Sequence, residues 1–170
     1  MEIKIIKVGY LETNCYILTK GTEAIIIDPG DDYKKIEKEL KNLKLKTILL
    51  THHHFDHIGA LNNFKNIKIL DNTNTEEKEY QINKFKFHVI KTPGHTTDSI
   101  SFYFEEENKM FTGDFVFKNS IGRTDLDTGN LKEMYESIEK LKKYPKKTKL
   151  YPGHGEETTL EEELKNNPFF

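Results

Sequence analysis

The chain has 170 residues, 26 basic against 28 acidic side chains, a net charge of -2 and one cysteine, Cys15. That balance argues against global attraction to nucleic acid or an anionic membrane, and a lone cysteine excludes an internal disulfide and fits a reducing, cytoplasmic setting. At this length a single domain over residues 1–170 is expected, and no segment approaches the ~20 apolar residues of a membrane span or the apolar run of a signal peptide.

Glu2 to Val8 alternates isoleucine with charged residues and predicts a strand. Asn14–Thr19 and Glu23–Asp28 predict the next two, joined by a turn at Lys20-Gly21 and ended by Pro29-Gly30. Asp31–Leu43 spaces Ile36, Leu40 and Leu43 as a helix does, with acidic residues in its first turn. A short apolar strand at Thr47–Leu50, a short helix at Ile58–Phe64 and a strand at Ile67–Leu70 follow. Asp71–Gln81 is polar and assigns itself to no element. Phe85–Lys91, Ser99–Phe104 and Lys109–Thr112 alternate again, the last two as a hairpin around Glu105–Asn108. Leu131–Leu141 puts Leu131, Met134, Tyr135, Ile138 and Leu141 on one helical face; Lys149–Tyr151 is a brief strand and Leu160–Leu164 a closing helix. Strands in meanders with helices interspersed predict mixed sheets covered by helices, an α/β layered fold.

The chemistry concentrates in Thr51-His52-His53-His54-Phe55-Asp56-His57. On an extended chain His52 and His54 share one side, while His53 and Phe55 face the other. Two imidazoles so placed can grip one metal ion, and Asp56 and His57, where the chain turns into a helix, can reach a second. Three further candidates each follow a glycine: His95 in T-P-G-H, Asp114 in T-G-D and His154 in P-G-H-G. Glycine permits sharp turns, and loops at strand ends collect catalytic groups. Of the other candidates, His53 and His88 read as non-ligands, Cys15 as a small buried hydrophobe, and Asp28, before Pro29-Gly30, as a turn residue.

Together these segments resemble the metallo-β-lactamase superfamily. T-H-H-H-F-D-H matches its H-x-H-x-D-H signature, and T-P-G-H-T, T-G-D and P-G-H-G resemble its later motifs in the family's order, so that the likeness runs from Asn14 to His154. The resemblance implies a four-layer αββα sandwich with a metal site at one edge of its two sheets. It implies His52, His54 and His95 around one ion, Asp56, His57 and His154 around a second, and Asp114 bridging both. It also makes Asp28 a support for the metal loops. Antibiotic-cleaving branches carry cysteine or serine where this chain has Asp114, flavodiiron-type members carry an acid where it has His54, and RNA-processing members are longer. The likeness that remains is to the glyoxalase II-like (hydroxyacylglutathione hydrolase-like) group, supported by S-I-G-R-T-D from Ser120 to Asp125; a similar G-R-T-D occurs in persulfide dioxygenases. Long-type glyoxalase II enzymes hold glutathione with an added helical domain, whereas 16 residues follow His154 here. A natural thiol other than glutathione is therefore expected.

The implied cofactors are two divalent ions, zinc first, with iron or manganese as alternatives. The expected activity is cleavage of a small, S-lactoylglutathione-like thioester by a hydroxide bridging the ions, with Asp56 orienting it. Two ions carry four charges; Asp56, Asp114 and hydroxide return three, which leaves a net cationic site suited to an anionic tetrahedral intermediate. The alternatives are a mononuclear iron persulfide dioxygenase and a non-enzymatic metal-binding domain. Arg123 is the single arginine; its fork can anchor an acidic substrate group, or merely pair with Asp125 or Asp127 in its own loop. The expected partner is a small-molecule substrate, not nucleic acid or membrane.

Overall fold

Strands that alternate their buried side chains between two faces can be covered on both, and this chain uses that property throughout. The computed structural model describes residues 1–170. The first half of the chain forms β1 (Glu2–Val8), β2 (Thr13–Lys20), β3 (Glu23–Ile27), α1 (Tyr33–Glu39), β4 (Lys44–Leu49), α2 (Phe55–Ile58) and β5 (Lys68–Leu70). Its five strands lie side by side in chain order, antiparallel through β3 and parallel from β3 to β5. The second half forms β6 (Glu79–Ile82), β7 (Phe85–Lys91), β8 (Ile100–Phe104), β9 (Lys109–Gly113), the hairpin β10 (Val116–Phe117) and β11 (Ser120–Ile121), then α3 (Leu131–Leu141), β12 (Lys149–Pro152), β13 (Thr158–Thr159) and α4 (Leu160–Asn166). Its six-stranded sheet runs β13-β12-β9-β8-β7-β6.

Three apolar layers separate four structural ones. Between the sheets, Leu18, Ile25, Ile27 and Leu49 of the first meet Phe87, Phe102, Phe104 and Phe111 of the second. The alternate residues Ile17, Ala24, Ile26 and Ile48 face outward against Ile36 of α1. On the far side Tyr103, Met110 and Leu150 meet Met134, Ile138 and Leu141 of α3 and Leu160 of α4. Period-two alternation thus becomes two buried faces rather than one buried and one wet, and the result is an αββα sandwich. No helix is long and apolar enough to cross a membrane.

Phe111 tests the central layer. It is fully buried, with ring centroids of Tyr16 and Tyr151 each 5.0 Å away and Phe104 at 5.6 Å. Phe111→Ala is expected to cost about 3–5 kcal/mol, which lowers Tm by roughly 6–20 °C for a chain of this size. Urea and thermal unfolding measure it, and a loss under ~1 kcal/mol would show that the layer is not closely packed.

Several expected boundaries move. The helix expected over Asp31–Leu43 forms only at Tyr33–Glu39, because Asp32 and Asn42 adopt left-handed backbone angles at either side. The helix expected at Ile58–Phe64 begins earlier, as α2, and is followed by a 3₁₀ turn at Leu61–Asn63. The uncommitted polar stretch enters β6, and β10, β11 and β13, two residues each, exist only by pairing with neighbours.

Candidate metal centre

The two sheets are stitched together at one edge. Ile100 N donates to Thr51 O (2.8 Å), Asn14 N donates to Gly153 O (2.7 Å), and the Asn14 amide donates to the carbonyls of Pro152 and Gly155 (3.0 Å each). The loops after β4, β7, β9 and β12 emerge at this edge. They carry His52–His57, His95, Asp114 and His154, and the structure brings all seven candidate side chains together.

The histidines divide into two sets around Asp114. His52 Nε2 and His95 Nε2 lie 3.1 and 3.0 Å from His54 Nδ1. Asp56 Oδ2 lies 3.5 Å from His57 Nε2 and 3.2 Å from His154 Nε2. Asp114 reaches both sets: Oδ2 is 3.5 Å from His95 Nε2 and 3.5 Å from His154 Nε2, and Oδ1 is 3.3 Å from His57 Nε2. Three groups have donor atoms all within 4.8 Å of one another: His52-His54-His95, His52-His57-Asp114 and Asp56-His57-His154.

The outward nitrogens explain why the inward ones suit a cation. His95 Nδ1 donates to Arg123 O (2.7 Å), and His154 Nδ1 donates to Leu11 O (3.1 Å). Thr51 Oγ1 donates its single proton to Asp28 Oδ2 (2.7 Å), so it accepts from His52 Nδ1 (3.1 Å). Asp28 Oδ2 also accepts from His57 Nδ1 (2.9 Å). In the neutral rings this assigns a lone pair to each inward Nε2. His54 Nδ1 carries at most one proton, so at most one of its two contacts with His52 and His95 is a hydrogen bond and the other sets two nitrogens together with no proton between them. His57 Nε2 and Asp114 Oδ1 are likewise buried with no hydrogen-bond partner. Orphaned acceptors of nitrogen and carboxylate type, converging without a donor, fit a divalent metal ion.

The carboxylates set the local proton balance. Burial pulls the His57 ring down, but Asp114 and Asp28 outweigh it and hold it up at about 10. Burial likewise opposes His154, and Asp114 and Asp56 push it up to about 9. Burial would raise the Asp114 carboxyl, but the neighbouring His154 and His57 rings keep it well below the usual range. At His52 burial and the His57 charge outweigh the pull of Asp114 and drive the ring well down. Metal ions displace protons from sites of this kind.

Asp28 is the residue whose role local sequence conceals. It is buried, has a left-handed φ of 52°, and takes hydrogen bonds from Thr51 N (2.8 Å), Thr51 Oγ1 and His57 Nδ1. Aspartate tolerates that backbone region better than most residues, and here three bonds hold it. It does what both readings of Asp28 required: it turns the chain and supports the ring of His57. Thr13 Oγ1 donates to Asp56 Oδ2 (2.8 Å), a contact with no signal in the sequence. Arg123 lies differently from its neighbours in this centre. Its guanidinium is exposed and forks onto Asp125 (2.9 and 3.0 Å), and its backbone carbonyl, not its side chain, meets His95. Beside His54 opens a cleft of about 440 Å³ that Thr96, Asp98, Leu126, Asp127 and Thr128 help to line.

Comparison with known proteins agrees with this geometry. The profile of the metallo-beta-lactamase superfamily matches residues 8–78 and 66–154. Hydroxyacylglutathione hydrolase GloC of Haemophilus influenzae is 30% identical over 215 residues, covering 99% of this chain and 98% of that protein. Among solved structures, the BLEG-1 B3 metallo-beta-lactamase superposes with a TM-score of 0.94 at 35% identity, covering 99% of both chains. TTHA1623 in a di-iron-bound form gives 0.88 at 30% identity, covering 98% of this chain and 100% of that one.

Proposed function

The chain belongs to the metallo-beta-lactamase superfamily, and we propose that this metallo-hydrolase cleaves a small thioester of the S-lactoylglutathione kind with the help of two divalent ions, zinc foremost. The observation that carries the reading is Asp114, whose two oxygens reach one histidine set and the other at 3.3–3.5 Å. His52, His54 and His95 would hold one ion, and Asp56, His57 and His154 the other, with Asp114 common to both. Bound there, the ions would supply Lewis acidity and bring water ionisation to near neutral pH, from ~15.7 towards ~7.

The chain's own residues then do three things. Asp28, Thr51 and the carbonyls of Leu11 and Arg123 keep the rings turned with their lone pairs inward. Asp56, steadied by Thr13, orients the attacking water. The cleft beside His54 admits the substrate, and Arg123 anchors an acidic group of it. The Arg123–Asp125 fork is exposed to solvent, so exchanging Asp125 for a substrate carboxylate demands little rearrangement. Arg123→Lys should raise KM on an acidic thioester with kcat little changed; an unaltered KM would remove Arg123 from the substrate site.

GloC is matched over 98% of its length and this chain over 99% of its own, so the activity in its name is that of a protein the match covers almost whole. Glutathione thioesters therefore stand first in the assay panel. The likeness to BLEG-1 favours a second reading, opening of a β-lactam ring, and β-lactams stand beside them. The lone buried Cys15 supports a cytoplasmic setting for this chemistry.

The deciding experiment quantifies metal in protein purified without added metal, then assays thioesters, lactones, phosphodiesters and β-lactams. Near two zinc ions per chain with the highest kcat/KM on a thioester is the expected result. One iron per chain with oxygen uptake on glutathione persulfide would replace the hydrolase with a dioxygenase. A β-lactam as best substrate would move the reading to the second class.

A further inference from the structure

His53 stands between two of the candidate ligands, and its ring points away from both. Its Nδ1 makes a short contact with Asp98 Oδ2, and its Nε2 lies 3.2 Å from Asp71 Oδ2. Asp98 follows His95 by three residues on the loop after β7. Asp71 follows β5 directly, and its other oxygen accepts from Thr73 N (2.9 Å) and Thr73 Oγ1 (2.6 Å), so that carboxylate is held in place. One ring therefore fastens three loops: the one carrying His52 and His54, the one carrying His95, and the end of β5. A half-exposed surface histidine with no task would turn with the solvent; this one is held at both nitrogens. The contact that depends on the loop spacing is His54 Nδ1 to His95 Nε2, at 3.0 Å, which crosses between the first two loops.

We propose that His53 is a positioning residue, which by bridging Asp98 and Asp71 sets the spacing of the His52–His54 loop against the His95 loop and so shapes the three-histidine group as a metal site. This rests on the metal-centre reading above.

The test titrates Co²⁺ into chelator-stripped protein, follows the visible absorption, and repeats the titration against Zn²⁺. His53→Ala should weaken one cobalt equivalent by about 10–100-fold, as loss of a supporting contact around a metal site does, and leave the other unchanged. Asp98→Ala should act in the same direction, and the double variant should be no worse than His53→Ala, because the contact Asp98→Ala removes is already absent there. His53→Asn, whose side-chain amide can still donate to Asp98, should recover most of the loss. If His53→Ala does not fold, Asp98→Leu, which keeps the bulk but offers no acceptor, carries the same expectation. Two unchanged equivalents overturn the proposal. So do two equivalents weakened alike together with a lower Tm of the metal-free protein, since that marks a general structural role. Wild-type protein that takes up no cobalt overturns the metal-centre reading and this proposal with it.

Discussion

Asp56→Ala is expected to lower kcat on the best substrate by about 10²–10⁴-fold, the range for a positioned acid–base group, while the protein still folds. The carboxylate has neighbours on three sides: Thr13 Oγ1 donates to Oδ2 at 2.8 Å, His154 Nε2 lies at 3.2 Å and His57 Nε2 at 3.5 Å. Its removal leaves the Thr13 hydroxyl without an acceptor, which costs about 1 kcal/mol and so roughly 2–4 °C in Tm. Both histidines keep Asp114 as a partner, at 3.3 and 3.5 Å, so the buried His57 is not left without a counter-charge. The activity, by contrast, loses both a candidate ion ligand and the group that orients water. Asp56→Asn separates the two roles of shape and charge. It keeps an acceptor for Thr13 and removes the charge, so kcat should fall within the same range while Tm stays at the wild-type value. Steady-state kinetics with thermal unfolding on the same samples decides it: an unaltered kcat in either variant would strip Asp56 of its role.

The difference between what Asp56 and Asp28 reveal in the sequence is physical. Asp56 lies inside a cluster whose spacing itself implies convergence, because alternate residues on an extended segment share a side. His95, Asp114 and His154 are legible for a second reason, as polar residues directly after glycines at strand ends. Asp28 has only Pro29-Gly30 beside it, which any turn could carry; its partners Thr51 and His57 lie 23 and 29 residues further on, and only the fold joins them. Arg123 shows the opposite failing. As the single arginine it draws notice to its side chain, yet the atom nearest the centre is its carbonyl oxygen, which every residue type possesses. The fold divides the same way. Alternation in Phe85–Lys91 and the short apolar run of Glu23–Ile27 mark the strands, and α3 begins and ends where its apolar stripe does. The two-residue strands β10, β11 and β13 are made by partners, not by any pattern of their own. Helix α2 starts three residues before the first apolar repeat, since its opening residues Phe55, Asp56 and His57 follow the demands of the site rather than those of a core.

The glycine before His154 allows the sharpest test of that crowding. A Cβ on Gly153 would stand 2.2 Å from Asp114 Oδ1 and 2.6 Å from His57 Cε1, closer than side chains tolerate. The Asp114 carboxylate is the group that spans both histidine sets, and the His57 ring is wholly buried, so neither has room to retreat without giving up its partners. A displacement of about 1 Å at a reacting centre can cost 10²-fold in rate, and Gly153→Ala should lose at least about that much, with weaker metal uptake. Gly155→Ala supplies the control two residues away. Gly155 has a φ of 77°, so alanine there is strained, but nothing lies within 4 Å of its Cβ. It should cost on the order of 1–3 kcal/mol in stability through backbone strain and leave metal stoichiometry unchanged. Metal content, kcat and Tm measured on the pair separate the two effects. Gly153 itself does not adopt a left-handed backbone, so alanine there meets only the crowding; if Gly155→Ala also lost its metal, any disturbance of this loop would suffice, and the contact with Asp114 would no longer be the specific cause.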